Sequence, residues 1–428
     1  MQKSTTASMK NYQILIIGGG TAGITIAAQL KRKDANLQIA IIEPSEKHYY
    51  QPAWTLVGAG TFEYKDTERN EEDYIPKGVD WIKDKATAIN PNQNEVSTET
   101  SGKFTYDYLI PVPGLIMAPE LLPGLPEALD KGVVCSNYTN PEHTWEVLQN
   151  FKGGNAVFTQ PTTPIKCGGA PQKIMYLAED YFRKQGIRDK TNVLFATPGT
   201  VIFGVPDFAR TLNKIINERD IIFKPFYAPV KIDGEKQEIT FQYAKPGESN
   251  CTIMEGNILG EELAGAMEIK VHYDMLHLAP PQTAPKFIQE SVISIQDGPG
   301  QGWVDVDIHT MQHKRYSNIF CIGDVAFLPT AKTGAAIRKQ APVLVENLLQ
   351  LMKTGKIGSE SYEGYSSCPI VTGYGKMVLA EFKYDNERDS DPIISKFVDT
   401  TKEQYSMWLL KKYGLPFMYW NLMLRGKT

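Results

Sequence analysis

Cysteine is scarce and scattered in this 428-residue chain: Cys135, Cys167, Cys251, Cys321 and Cys368, with no Cys-x-x-Cys pair. An odd, dispersed set in a chain without a signal peptide argues against a structural disulfide framework. If these cysteines do chemistry, it is redox chemistry in a reducing compartment. The six histidines show no metal-ligand spacing. His309 and His313 are four residues apart, but no carboxylate or cysteine cluster accompanies them, so no metal site is expected. A net charge of −4 supplies no basic field, and no RNA- or DNA-binding motif is present, so nucleic acid is not expected as a partner. No apolar run approaches the length that spans a bilayer, and Met1–Asn11 is polar, without the apolar core of a secretory signal. What remains is a folded protein, 42% hydrophobic and 22% charged, long enough for two or three domains.

Glycine is placed where it matters most near the start. The apolar run Ile14–Ile17 meets Gly18-x-Gly20-x-x-Gly23, and helical periodicity continues to about Lys33. In a strand–turn–helix unit of this kind the first glycine permits a tight turn. The second lets backbone approach a pyrophosphate, and the third lets helix and strand pack closely, so free N–H groups face the phosphates. A second apolar run, Gln38–Ile42, ends in Glu43, twenty residues after Gly23, where an acid accepts hydrogen bonds from an adenosine ribose. A bound dinucleotide is expected.

Further along, residues 78–108 alternate apolar and polar positions between turn signals and predict a small antiparallel insertion. Tyr106–Gly114 returns as a short strand ending in a glycine turn at Gly114. A second α/β unit begins near Asn155, with strands at Ala156–Phe158 and Asn192–Phe195 and helices through Ile174–Phe182 and Pro206–Glu218. Its glycines are not spaced Gly-x-Gly-x-x-Gly, and no acid ends its second strand on schedule, so a nicotinamide-nucleotide site there is not expected. A strand-rich stretch covers Phe223–Leu278. The chain then re-enters the first domain, where a strand ends in Gly323-Asp324 and a helix starts within Pro329–Gln340. A carboxylate at that strand end can bond a polyol chain, and the helix N-terminus beyond it can stabilise negative charge on a flavin ring. A polyol points to FAD rather than NAD.

The last stretch, Tyr405–Arg425, is crowded with Trp, Tyr, Phe, Met and Leu beside Lys411, Lys412 and Arg425. Gly414 and Pro416 predict its division into two short amphipathic helices. Such a segment can lie in a lipid headgroup interface, or pack in a core or dimer.

Together these blocks resemble the sulfide:quinone oxidoreductases, in particular the branch that includes the mitochondrial enzyme. The likeness rests on the N-terminal fingerprint with Glu43, on Pro164-Ile-Lys-Cys-Gly-Gly-Ala-Pro-Gln-Lys173 and its continuation to Leu177, and on Gly302–Asp307. It extends through Ile322-Gly-Asp324 with Leu328–Thr333, Gly364–Gly373 and Pro416–Gly426. The resemblance implies an α/β flavoprotein with two Rossmann-like dinucleotide-binding domains and a C-terminal membrane-associating region. The expected division is a first part of the FAD domain at 1–150, a second Rossmann-like domain at 151–285, the rest of the FAD domain at 286–358 and a quinone and membrane-interface region at 359–428. It also implies FAD as cofactor, sulfide and a membrane quinone as substrates, and a small thiol or sulfite as sulfur acceptor. The protein would be peripheral (monotopic) on a membrane, facing a reducing cytoplasmic or matrix-like compartment.

By the same resemblance Gly18, Gly20, Gly23 and Glu43 hold the adenosine diphosphate half of FAD. Gly114, Gly323 and Asp324 line it further along, with Lys332 and Thr333 near the flavin pyrimidine. Cys167 matches the first redox cysteine and carries the sulfane sulfur. The sequence adds a reason: Cys167 precedes a helix N-terminus and follows Lys166, both of which lower a thiol pKa. The resemblance places the second redox cysteine just after Gly323-Asp324, where this chain has Val325 and Ala326. Three readings follow: Cys321 takes over as partner, another cysteine such as Cys368 swings in, or the dithiol cycle is absent. The third would make the chain a non-catalytic persulfide-binding flavoprotein; a type II NADH:quinone dehydrogenase is the remaining alternative.

Overall fold

The computed structural model describes residues 10–428, so the polar opening stretch lies, up to residue 9, outside the described residues. The first sheet is built from Lys10–Ile17 (β1), Ile39–Ile42 (β2), Val79–Ile82 (β3), Ala86–Asn90 (β4), Glu95–Thr98 (β5) and Lys103–Pro111 (β6), in the order β3-β2-β1-β6-β5-β4. Its centre is parallel, with Ile16 of β1 facing Ile41 on one side and Ile110 on the other. Ile14, Leu15 and Ile16 are fully buried, as a strand covered on both faces requires. The sequence predicts a small antiparallel insertion over residues 78–108. Instead β3 joins the parallel part beside β2, and β4 and β5 extend the same sheet antiparallel from β6. The alternating pattern is that of a half-exposed strand, which does not say which edge it joins.

Thr21–Lys33 (α1) crosses this sheet. The chain returns to it through Asn318–Ile322, where Leu109 and Ile319 bridge in parallel. Gly334–Thr354 (α2) then packs along α1. The Thr333 hydroxyl caps α2 by accepting from the Ala336 N–H.

A second, four-stranded parallel sheet combines Gly154–Thr159, Thr191–Thr197, Ile222–Pro225 and Met275–Leu278. Ala170–Lys184, the helix following Cys167, packs against it and is buried over most of its length. A four-stranded antiparallel sheet inserted between Tyr227 and His272 accounts for the strand-rich stretch. A long hairpin, Ser366–Gly373 with Lys376–Phe382, lies across the 170–184 helix.

The C-terminal run differs from expectation. Tyr405–Met423 is continuously helical, with α turns at 405–409 and 415–418 and π turns at 410–414 and 419–423. Gly414 takes helical angles, and Pro416 falls where π hydrogen bonding gives way to α, so its missing donor does not break the run. Met407 and Trp408 enter the core of the second sheet, while Tyr419, Trp420 and Met423 enter that of the first. The helical run ties the two layers together.

Gly23 fixes how closely α1 meets β1: a Cβ there would lie 1.9 Å from the Gly18 carbonyl oxygen. Gly23→Ala should therefore destabilise the protein by about 1–3 kcal/mol through overpacking, measured as a lowered denaturation midpoint with an unchanged slope.

Candidate active site

The turn from β1 into α1 forms a cradle. Gly18 has φ of +105°, and a Cβ on it would stand 2.5 Å from the Val112 carbonyl oxygen. The loop that begins Pro111-Val-Pro thus comes against the glycine turn, and the prolines do not interrupt it, since Val112 N–H still donates to Ile17 O. Gly114 turns away with φ of +73° and open space where a Cβ would be. Gly20 begins α1 with no side-chain cap, and its Cβ position is also open. The first N–H groups of α1 have no carboxylate in their own first turn. Uncapped donors, open space and close backbone approach fit a diphosphate. Glu43 sits beside them, its two oxygens accepting from Gly19 N–H and Ser45 N–H, each at 2.7 Å.

At the other end of this groove Gly323-Asp324 makes a tight turn, with Gly323 at φ of +73° and its N–H donating to Gln340 Oε1 at 2.9 Å. Burial pushes the Asp324 carboxyl up, while the Lys166 and Lys332 ammonium groups oppose it. Lys332 donates to the carbonyls of Asp324 (2.5 Å) and Ala326 (3.4 Å) and lies 4.2 Å from the centre of the Trp303 ring. Thr333 is occupied as a helix cap and shares a hydrogen bond with Ser366 Oγ. Glycines, acid and lysine at the two ends fit an extended flavin dinucleotide between them.

Cys167 stands next to the second end, its N–H donating to Lys332 O at 2.8 Å. It holds φ of +53°, a left-handed conformation that costs a non-glycine residue energy and that clusters at functional sites. Tyr138 Oη reaches the carbonyls of Lys166 and Cys167 and pins the loop.

The thiol brought to the Cys167 loop is that of Cys368. The Cys368 thiol hydrogen-bonds to Cys167, and a Cβ on Gly169 would lie 2.4 Å from the Cys368 sulfur. Only glycine leaves room there for the hairpin cysteine to reach the loop. Lys173 Nζ lies 3.1 Å from Cys167 Sγ and is 2% exposed. Donation from Cys368 and the positive charge of Lys173 hold the Cys167 thiol well below its ordinary range. Cys368, as the donor, is pushed up. Lys411 is buried nearby, donates to Pro52 O at 2.8 Å, and is pushed down to about 7 by burial and by the charge of Lys173.

Two expectations change. Cys321 is not brought to Cys167: the strand expected around it is reduced to isolated bridges, it is fully buried, donates to Pro111 O at 2.9 Å, and its thiol is pushed up by burial. The cation acting on Cys167 is Lys173 rather than Lys166, whose charge faces Asp324. Sequence reasoning missed Lys173, Lys411 and Tyr138. Of these only Lys173, in the first turn of the helix after Cys167, carried a signal.

Lys173→Met should move the half-labelling pH of reduced Cys167 upward by about one unit or more, since an opposite charge at this range favours the thiolate. The pH dependence of iodoacetamide labelling, read at Cys167 by mass spectrometry, measures this.

Residues 12–147 match the pyridine nucleotide-disulphide oxidoreductase family. The chain is 42% identical over 419 residues to the mitochondrial sulfide:quinone oxidoreductase of Mus musculus, covering 97% of this chain and 87% of that protein. It is also 42% identical over 424 residues to the mitochondrial sulfide:quinone oxidoreductase of Dictyostelium discoideum, covering 98% and 87%. Its fold is similar to the X-ray structure of the sulfide:quinone oxidoreductase from Aquifex aeolicus, with a TM-score of 0.78 at 19% identity over 98% of this chain and 92% of that one. On this likeness across nearly its whole length, and with a cradle that fits the cofactor, the chain belongs to the sulfide:quinone oxidoreductase family of FAD-dependent oxidoreductases.

Proposed function

We propose that this chain oxidises sulfide to sulfane sulfur at a Cys167–Cys368 pair and passes the electrons to a membrane quinone. The observation that carries the reading is the placement of Cys368 against Gly169 and Cys167, with Lys173 between helix and sulfur. In the oxidised form the two cysteines are joined as a disulfide. Hydrosulfide attacks the Cys368 sulfur, forming Cys368–S–SH and releasing the Cys167 thiolate. This direction is favoured because Lys173 Nζ, 3.1 Å from Cys167 Sγ, stabilises the charge as it forms there and makes Cys167 the better leaving group. The sequence predicts the sulfane sulfur on Cys167; the lysine contact at Cys167 Sγ favours Cys368 instead. A thiolate or sulfite acceptor then takes the outer sulfur and leaves the Cys368 thiolate. Re-forming the disulfide from two thiolates releases two electrons, and FAD supplies the acceptor that relays them to quinone.

The groups around FAD keep their expected places in this reading. The Gly18–Gly23 turn and Glu43 hold the adenosine diphosphate, while Gly114, Gly323, Asp324, Lys332 and Thr333 surround the flavin half. A chain with a second thiol beside Cys167 has no need of the non-catalytic persulfide-binding reading, which rested on a missing partner.

Residues 359–428 are proposed to carry the membrane and quinone face. Tyr405, Leu409, Tyr413 and Phe417, spaced by four, are 65%, 39%, 61% and 61% exposed on one side of the helical run, and Phe397 nearby is 83% exposed. No helix among the described residues is long and apolar enough to cross a membrane. A stripe of exposed rings and leucine fits seating in the headgroup layer, on a cytoplasmic or matrix-like side.

Under anaerobic stopped flow, sulfide should bleach the flavin of wild type and of Cys321→Ser at equal rates, because serine can still donate to Pro111 O. Cys167→Ser and Cys368→Ser should show no sulfide-driven bleaching; an active Cys368→Ser would overturn the pairing. In a separate measurement, replacing Tyr405, Tyr413 and Phe417 by Ser should release the protein from sedimenting phospholipid vesicles, and unchanged sedimentation would rule out this face as the anchor.

A further inference from the structure

The dinucleotide cradle holds a second acid, this one buried, that the fingerprint does not assign. Glu71 opens a short turn at Glu71–Asp73, is 1% exposed and faces the same glycine as Glu43. A Cβ on Gly19 would lie 2.3 Å from Glu71 Oε1 and 2.7 Å from Glu43 Cγ, so both side chains flank the Gly19 backbone. The two acids differ in what they have left to offer. Glu43 accepts a backbone N–H on each oxygen. Glu71 Oε2 is bonded to His48 Nδ1 at 3.0 Å, but Oε1 is buried with no partner. A buried, unpartnered carboxylate oxygen is costly unless something fills the gap.

The ligand group is identified by the surrounding charge. Two carboxylates beside one glycine repel a phosphate, which belongs further on, at the N–H groups of α1. A ribose hydroxyl both donates and accepts, so it satisfies the acid in either protonation state; burial pushes the Glu71 carboxyl up, with Glu43 adding to the effect against His48. The acid is also held from behind. His48 Nε2 lies 2.6 Å from Tyr419 Oη, which lies 2.8 Å from Thr21 Oγ1 in the first turn of α1. With Nδ1 donating to Glu71, Nε2 accepts the Tyr419 proton and Thr21 donates to Tyr419.

We propose that Glu71 is a second ribose-binding residue, its unpartnered oxygen taking a hydroxyl of the FAD adenosine ribose alongside Glu43 while the His48–Tyr419–Thr21 chain fixes its orientation. The assignment rests on FAD as cofactor but not on the sulfide chemistry, which the cysteine variants test separately.

The experiment titrates apoprotein with FAD and with FAD analogues lacking the 2′- or the 3′-hydroxyl of the adenosine ribose, reading Kd from flavin fluorescence. Glu71→Ala should weaken FAD binding about tenfold or more, the scale of a hydrogen bond to a charged group. One deoxy analogue should bind wild type more weakly than FAD does, yet bind Glu71→Ala as tightly as FAD does, because residue and hydroxyl form one coupled pair. Equal losses for FAD and both analogues on mutation would make Glu71 a packing residue and overturn the proposal, as would unchanged affinity. Circular dichroism monitors folding, and if Glu71→Ala fails to fold, the same comparison on Glu71→Leu, which keeps the space filled, decides in the same way.

Discussion

The site depends on one contact: the buried ammonium of Lys173 against the sulfur of Cys167, with the Cys368 thiol on the same sulfur. Burying that charge is costly unless it has a partner of opposite sign. Lys173 is raised above its ordinary range by Cys167 and Cys368, which are the groups opposing its desolvation. The Cys368 hydrogen bond and the lysine charge favour the thiolate of Cys167, and the two cysteines in turn favour the charged lysine. Lys411 lacks such a direct bond, donates only to a backbone carbonyl, and is pushed down instead. The two buried lysines show how position, not residue type, decides the charge.

Around this contact the fold supplies constraint rather than chemistry. The left-handed turn at Cys167 is held by Lys332 O at the backbone N–H and by Tyr138 Oη at the carbonyls. The hairpin that brings Cys368 is anchored on the neighbouring helix, where Asp180 Oδ2 accepts from Tyr374 N–H at 2.8 Å and the Lys184 ammonium lies 3.9 Å from the centre of the Tyr374 ring. Gly169 leaves the space into which the sulfur fits. The C-terminal helical run closes the arrangement from outside. Lys411 reaches toward the cysteines, and Tyr419 joins the polar chain to α1 through His48 and Thr21. One segment therefore touches both the thiol end and the nucleotide end of the groove.

Much of the nucleotide half was legible because it is local. Gly18, Gly20, Gly23 and Glu43 lie within one strand–turn–helix–strand unit, and the roles proposed for them follow from backbone conformation and spacing. The helix over 206–218 and the strands at 156–158 and 192–195 were legible from periodicity for the same reason. The return of the chain at Gly323-Asp324 was readable, but the strand expected before it is reduced to isolated bridges at Ile319 and Phe320, while the expected helix begins at Gly334. By contrast, the single helical run at 405–423 was hidden by Gly414 and Pro416, because the π turns that accommodate them depend on packing against two cores.

The sequence by itself determined a dinucleotide fold and singled out Cys167 as the candidate redox cysteine, since glycine spacing, apolar period and the residues flanking one thiol are properties of short segments. Tertiary structure alone decided which other thiol is brought to its loop. Cys321 is fully buried in the segment that returns to the first sheet and bonds the Pro111 carbonyl there, whereas Cys368 sits on a hairpin docked over the helix that follows Cys167. No local pattern encodes that docking. It results from burying the hairpin against a helix distant in sequence, and with it comes the lysine that sets the charge on the sulfur.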